Sequence, residues 1–342
     1  MTKFSETLIH QDVRFLNVRT LLDRVDSGRL DANPPYGSMP ALSIASRSQM
    51  IESLILGLST ETFWAEQDGL GRTMLLSGFE MVSAIAAFAW GRFALKDLRV
   101  LKHLEGLSFD NIDYADRRQF EQMELIFITI SYDSNPLLKC MLVEKINRPR
   151  HGSNAAQFAR NIIFPASAEK ILDLATYSLE RHDFSGLPAE KNMNRLLLRM
   201  QTDLFYGLLI YFMKSHWWDI SGHHDLGHDA FSRSNALERL YSHDIAPSDD
   251  LDYALNKLTM MLDDGNRKAQ QAFNDIVSSV RLILNAHTFG ARTVGKNYIT
   301  RMKRSGPDEF SLLDYLYENV TGRVPPLNLT RSMTIRDLAG IL

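Results

Sequence analysis

The chain of 342 residues is 45% hydrophobic, enough to bury two or three compact cores, and its 38 lysine and arginine residues against 41 aspartate and glutamate residues leave a formal net charge of -3. That balance excludes a global field that recruits nucleic acid or an anionic membrane, so any basic surface is local. The single cysteine, Cys140, excludes an intrachain disulfide and a multi-cysteine zinc site.

The N-terminal stretch MTKFSETLIHQDVRF has no signal-like apolar core, and the most apolar windows, Ala84 to Trp90 and Leu208 to Met213, fall far short of the roughly 20 residues of a membrane span. The expectation is a soluble cytoplasmic protein without a membrane partner. Leu16, Val18, Leu21, Leu22 and Val25 form a short helix-like stripe ended by Ser27-Gly28. The following DANPPYGSMP, Asp31 to Pro40, has three prolines and a glycine and predicts a loop with fixed φ.

From Ser46, the residues Met50, Ile51, Leu54, Ile55 and Leu58 recur at helical spacing, with Ser46 or Ser48 as the cap and Gly57 as the stop. Thr62 to Ala65 and Thr73 to Leu76 read as two short strands joined through QDGLG, a hairpin-like unit. The second strand runs into Ser77-Gly78 and then into Phe79 to Trp90, whose alanines with Ile85, Phe88 and Trp90 suit a helix buried nearly all round.

A strand that turns through glycine into a helix can aim unpaired backbone N–H groups at an anion, helped by the positive helix end. Ser77 can cap the helix or donate to a phosphate, and Gly78 permits close approach. Further on, Phe109 to Arg118 is polar, while Leu125-Ile126-Phe127-Ile128-Thr129-Ile130 is the clearest strand of the chain. Pro136 follows a cap at Asp133, Ser134 or Asn135. Leu138, Met141, Leu142 and Ile146 then share a helical face, with a stop predicted near Arg148-Pro149.

Beyond Phe164-Pro165, strand-like alternation disappears. Helical periodicity is predicted over Ala168 to Leu179, Met193 to Lys214, Ala236 to Leu240, Leu251 to Leu262, Ala269 to Ala286 and Leu312 to Glu318. The expectation is therefore an α+β domain over 1–165 and a helical bundle over 166–342.

HWWDISGHHDLGHD places His224 and His228 at a zinc-compatible helical spacing, but Gly222 and Gly227 interrupt it and HExxH is absent, so it reads as a polar connector and no metal site is assigned. HTFGAR, His287 to Arg292, reads as a turn. Arg301, Lys303 and Arg304 read as a charged helix end, and VPPLNLTRSMTIRDLAGIL as a tail with a short docking segment.

In order and spacing, VRTLLDRVDSGRL, SQMIESLILGLSTETFWAEQ, GRTMLLSGFEMVSAIAAFAWGRFAL and LLKCMLVEKINRPRHGSNAAQFARNII resemble the N-terminal domain of GmrSD-type restriction proteins, family 262 among the domains of unknown function. The resemblance spans about Phe15 to Phe164. It implies a ParB/sulfiredoxin-like fold, a nucleoside triphosphate with magnesium as cofactor, and a place in bacterial defence or another DNA-associated system.

Where that family reads Asp-Gly-Gln-Gln-Arg, this chain has Ser77, Gly78, Phe79, Glu80 and Met81. Where it carries an arginine and a tryptophan, this chain has LSIASR. Where it reads Phe-Glu-Arg-x-Asn, Glu144 and Asn147 persist and Lys145 replaces the arginine. The acid that would hold a metal and the arginine that would clamp phosphate are therefore replaced. Loss of one transition-state donor costs roughly 3 kcal/mol, about a hundredfold in rate.

The resemblance thus implies a degenerate, non-catalytic protein that binds a nucleotide, a nucleic acid or a protein partner, including a second copy. Arg72, Ser77, Gly78, Phe79, Asn147, Arg148 and Arg150 are its candidate ligand-binding residues; the family fold would set Arg72 and the pair Arg148 and Arg150 on the same cleft, and Arg47 is a further arginine that can make a site local. Two alternatives stand beside it: a divergent metal- and nucleotide-dependent phosphohydrolase or nuclease with Glu80 and Glu144 as catalytic acids, and a helical protein-interaction scaffold.

Overall fold

The computed structural model describes residues 8–33, 42–58, 61–180, 191–220, 247–285 and 316. Most of the expected proline loop, the segment 236–240, most of 312–318 and the tail lie outside the described residues. The chain divides into two compact units, Met1–Ala155 and Ala156–Leu342. The first is mixed α+β, and the described residues of the second are mostly helical.

The first unit runs β1 (Gln11–Asn17), α1 (Val18–Asp26), β2 (Leu30–Asp31), α2 (Ile44–Ile55), β3 (Thr62–Gln67), β4 (Thr73–Ser77), α3 (Phe79–Ala89), α4 (Tyr114–Gln122), β5 (Glu124–Ser131) and α5 (Pro136–His151). Its five strands form one mixed sheet in the order β1-β5-β3-β4-β2. The β1/β5 and β3/β4 pairs are antiparallel, and β3/β5 and β2/β4 are parallel. The predicted hairpin is thus the β3/β4 pair, with a register shift between Trp64 and Ala65. In the core, Phe63 and Phe127 lie opposite each other on β3 and β5 and stack at 4.9 Å between ring centroids.

Several boundaries differ from the sequence expectation for identifiable reasons. Leu16 belongs to β1, and the helix begins only at Val18, capped by Asn17. The strand was hidden because its apolar residues Val13 and Phe15 face solvent, the reverse of the usual alternation. α2 starts at Ile44 with Ser43 as its cap, whereas Ser48 is turned inward. α4 buries only Phe120, so apolar periodicity does not announce it. α5 runs through Pro149 to His151, beyond the stop expected at Arg148-Pro149, and ends at Gly152, whose N–H donates to the Arg148 carbonyl.

The segment between α3 and α4 is irregular but firmly held. The buried Glu52 carboxylate accepts backbone N–H bonds from Arg99, Val100 and Leu101 at 2.9, 2.6 and 2.8 Å. Ser48 Oγ accepts from the Lys96 N–H at 2.9 Å, and Glu105 accepts from Asp97 and Leu98. Such charge-assisted bonds anchor a loop that lacks ladder partners of its own.

The second unit contains α6 from its start at the division (Ala155–Ile163), α7 (Pro165–Glu180), α8 (Lys191–Ile220), α9 (Pro247–Asp263) and α10 (Arg267–Asn285). α8 packs against α7, α9 and α10, and buries Leu204, Phe205, Leu208, Leu209 and Phe212. Polar ties cross this core: Gln157 to Gln201 at 2.8 Å, Arg160 to Asn256 at 3.1 Å, Ser167 to the Thr259 carbonyl at 3.0 Å and Tyr211 to Ser279 at 2.6 Å. Among the described residues no helix is long and apolar enough to cross a membrane.

Burial pushes the Glu52 carboxyl up, but the three amides and Lys102 outweigh it and hold it below the usual glutamate range. Stability from this group is therefore full above the unfolded pKa of about 4.3 and is lost as pH falls through the lower folded value. Glu52→Gln, which brings an amide donor against backbone donors, is expected to cost about 2–3 kcal/mol in urea unfolding at neutral pH and to flatten the acid limb of the stability profile.

Candidate functional site

The strand-to-helix junction forms as its sequence predicts. Ser77 ends β4 and is buried, Gly78 occupies the N-cap of α3, and Phe79 and Met81 are buried in its first turn. Gly78 has φ +95°, in the left-handed region, and a Cβ built there would lie 2.5 Å from Phe63 Cδ1. Glycine is thus required twice, for backbone conformation and for the close approach of the turn to the Phe63 ring. No side chain caps α3, and the acid of its first turn is Glu80.

α5 is seated on the sheet by two buried ties. Lys139 donates to Glu66 Oε1 at 2.5 Å and to the Tyr132 carbonyl at 2.9 Å, with its ammonium 4.9 Å from the Tyr132 ring centroid. Two turns further along the same face, Asn147 is 1% exposed and donates to the Leu76 and Val143 carbonyls at 2.9 and 2.8 Å. Lys139, Val143 and Asn147 follow one another at four-residue intervals, so the same stripe that is buried also carries the polar groups that fasten it. Asn147, expected among the ligand-binding residues, is engaged by the strand beside the junction.

This seat brings the C-terminal end of α5 to the junction. Arg150 Nη1 bonds Glu80 on α3 and Nη2 bonds Glu61, just before β3. Both carboxylates are largely shielded from solvent, with side chains 14% exposed for Glu61 and 17% for Glu80. Burial pushes the Glu61 carboxyl up, Arg150 draws it down, and Glu80 adds a further upward push, with a raised value as the result. The neighbouring His151 is held below the usual histidine range by burial, which outweighs the attraction of Glu80, while Arg150 adds to the depression. Two carboxylates around one guanidinium leave the trio net negative when both acids are ionised.

Beside the trio opens a cleft of about 530 Å³ lined by Ser46, Gln49, Met50, Ser53, Leu58, Glu61, Met81 and Arg150. Its polar groups are mostly uncharged hydrogen-bonding side chains from α2, with Arg150 and Glu61 as its charges. A ligand acceptor that approaches Arg150 competes with two carboxylates already bonded to it.

The other expected residues do not assemble there. Arg72 stands at the opposite end of β4 from Ser77, across a strand of five residues, and its Nε bonds Asp68 at 2.8 Å in the hairpin turn. Arg148 bonds Glu144 one turn earlier on α5. Arg47 lies on α2 and is not among the cleft-lining residues. Of the expected groups the structure thus brings Glu80 and Arg150 together and leaves Arg72 apart.

Glu61, His151, Glu66 and Lys139 were not singled out from sequence. A signal existed for one of them, Glu66, a carboxylate within the strand TFWAEQ; Lys139 lies on the face of α5 that is buried, with Val143 and Asn147, whereas the expected face of Leu138, Met141, Leu142 and Ile146 is exposed or half-buried. The histidine segment begins in the last turns of α8, whereas residues 221–229 and the basic run near Arg301 lie outside the described residues. Among the described residues no group of three or more His, Cys, Asp and Glu is placed to hold a metal ion. No protein family, curated protein or solved structure matches the chain.

Two substitutions test this construction. Gly78→Ala is expected to destabilise the protein by about 2–5 kcal/mol in chemical denaturation, from strained backbone and a clash with a packed ring. Lys139→Met leaves the Glu66 charge buried and is expected to cost about 3–5 kcal/mol, most of it recovered in the Lys139→Met/Glu66→Leu double variant. A double variant as unstable as the single one would show that packing, not the uncompensated charge, sets the cost.

Proposed function

We propose that this protein is a degenerate, non-catalytic relative of the GmrSD-type proteins, ParB/sulfiredoxin-like in its first unit, which acts by binding a nucleotide, a nucleic acid or a protein partner. The observation that carries this is the engagement of Arg150 by both Glu61 and Glu80. A phosphoryl-transfer site needs an acid open to metal or nucleophile and a cation open to phosphate. At this junction the acids and the cation are bonded to each other. Glu144, the second candidate acid, is likewise bonded to Arg148, and Asn147 is spent on the strand.

The residues present do not fit a magnesium–nucleotide complex held by this junction. Magnesium in such complexes rests on one or two carboxylates plus the phosphates, and here Glu61 and Glu80 both face a bound guanidinium. Glu80 also places its own negative charge in the first turn of α3, where an anionic ligand would otherwise profit from the helix dipole. Among the three ligand classes, the net negative trio and the neutral polar wall of the cleft favour a protein partner that offers a basic or uncharged polar group.

The purified protein, incubated with ATP or GTP and magnesium or manganese, and separately with duplex DNA, is expected to release no phosphate and to cut no strand. Metal-dependent, protein-dependent turnover that Glu80→Ala abolishes would establish the divergent enzyme instead.

A further inference from the structure

β1 forms one edge of the sheet. Its inner side is paired one-to-one with β5, from Gln11 opposite Ile130 to Asn17 opposite Glu124, and among the described residues no strand pairs with its outer side. Such an edge presents outward-facing backbone N–H and C=O groups, and proteins usually protect it with proline, lysine or a bulge. QDVRFLN contains no proline or lysine, and its register on β5 is unbroken. One face of this strand carries Gln11, Val13, Phe15 and Asn17, and its two apolar residues are exposed. Val13 is 56% and Phe15 64% exposed, and Ile126, opposite Phe15 on β5, is 39% exposed. The alternate positions carry Asp12 and Arg14, which are bonded to each other at 2.7 Å and well exposed.

We propose that β1 is a self-association edge on which a second copy of this chain adds its own β1 antiparallel, about a two-fold axis through Val13, so that the two sheets become one. Charge selects both the occupant and the register. In an antiparallel pair of identical strands related by a two-fold axis normal to the sheet, opposed residues share a face, so the axis passes through a residue. An axis through Asp12 opposes Asp12 to itself, an axis through Arg14 opposes Arg14 to itself, and an axis through Phe15 opposes Arg14 to Leu16.

An axis through Val13 opposes Asp12 to the partner's Arg14 and Arg14 to the partner's Asp12, while Val13 meets the partner's Val13 and Phe15, diagonal to that pair, stands opposite the partner's Gln11. The run Asp12-Val13-Arg14 is therefore complementary to itself in that register. The edge is isologous, so the assembly closes at two copies and does not propagate. This inference does not depend on the function proposed above.

The test uses the full chain in sedimentation velocity over a concentration series. The wild-type protein is expected to pass from the 39.0 kDa monomer to twice that mass. Asp12→Arg makes both charged positions basic and Arg14→Asp makes both acidic, so each variant alone opposes like charges in both cross-strand pairs and is expected to stay monomeric with an unchanged circular dichroism spectrum. Mixed in equal amounts the two variants restore both pairs, and the dimer is expected to return as a heterodimer.

A wild-type chain that stays monomeric to its solubility limit overturns the proposal, as does a dimer indifferent to either substitution. So do folded single variants that dissociate yet fail to associate on mixing. Independently of any variant, amide hydrogen exchange across Gln11–Asn17 of the wild-type chain is expected to slow as dimer forms, and exchange that is equally fast in monomer and dimer overturns the proposal.

Discussion

The ammonium of Lys139, buried against Glu66 and the Tyr132 carbonyl, holds α5 to the sheet, and the position of Arg150 at the junction follows from that seat. A lone buried ammonium or carboxylate would be costly, so each of the two requires the other in place. With Lys139 fixed near the start of α5 and Asn147 fixed on Leu76, the helix has no freedom to rotate or slide, and its last turn delivers Arg150 to Glu61 and Glu80. The site is thus a consequence of two internal ties rather than of an independent loop.

The same device recurs away from the junction. Glu52 holds three consecutive amides of an irregular segment, and Ser48 holds a fourth, so α2 organises a stretch that neither a helix nor a sheet supports. In the helical unit, Arg160, Gln157 and Ser167 perform comparable tasks between helices that apolar packing alone would leave less specific. Buried polar residues in this protein act chiefly as fasteners.

At the junction, backbone and side chains point to different conclusions about chemistry. Gly78 preserves a turn that lets the chain pass tightly over Phe63, a property of shape. The side chains around it are apolar or paired, with the Arg150 guanidinium held between Glu61 and Glu80. Beside the turn lie a partly polar cleft and a net negative trio.

How much of this was legible depended on the range of the interactions involved. The strand-turn-helix of β4 and α3, the strand β5, the Pro136 start of α5 and the helical character of the second unit are written in local periodicity and turn chemistry. β1 escaped because its apolar residues face outward, and α4 because it buries a single side chain.

The residue types at the junction, Ser77, Gly78, Phe79, Glu80 and Met81, were determined by sequence alone. Their partners were decided only by tertiary structure: Arg150 meets residues 70 and 89 positions away, and Lys139 meets one 73 positions away. Arg72, adjacent to the same strand, turns to Asp68 instead. An arginine carries no mark of which carboxylate it will reach. That depends on how a helix lies across a sheet, which is set by the sum of buried contacts rather than by any local stretch of chain.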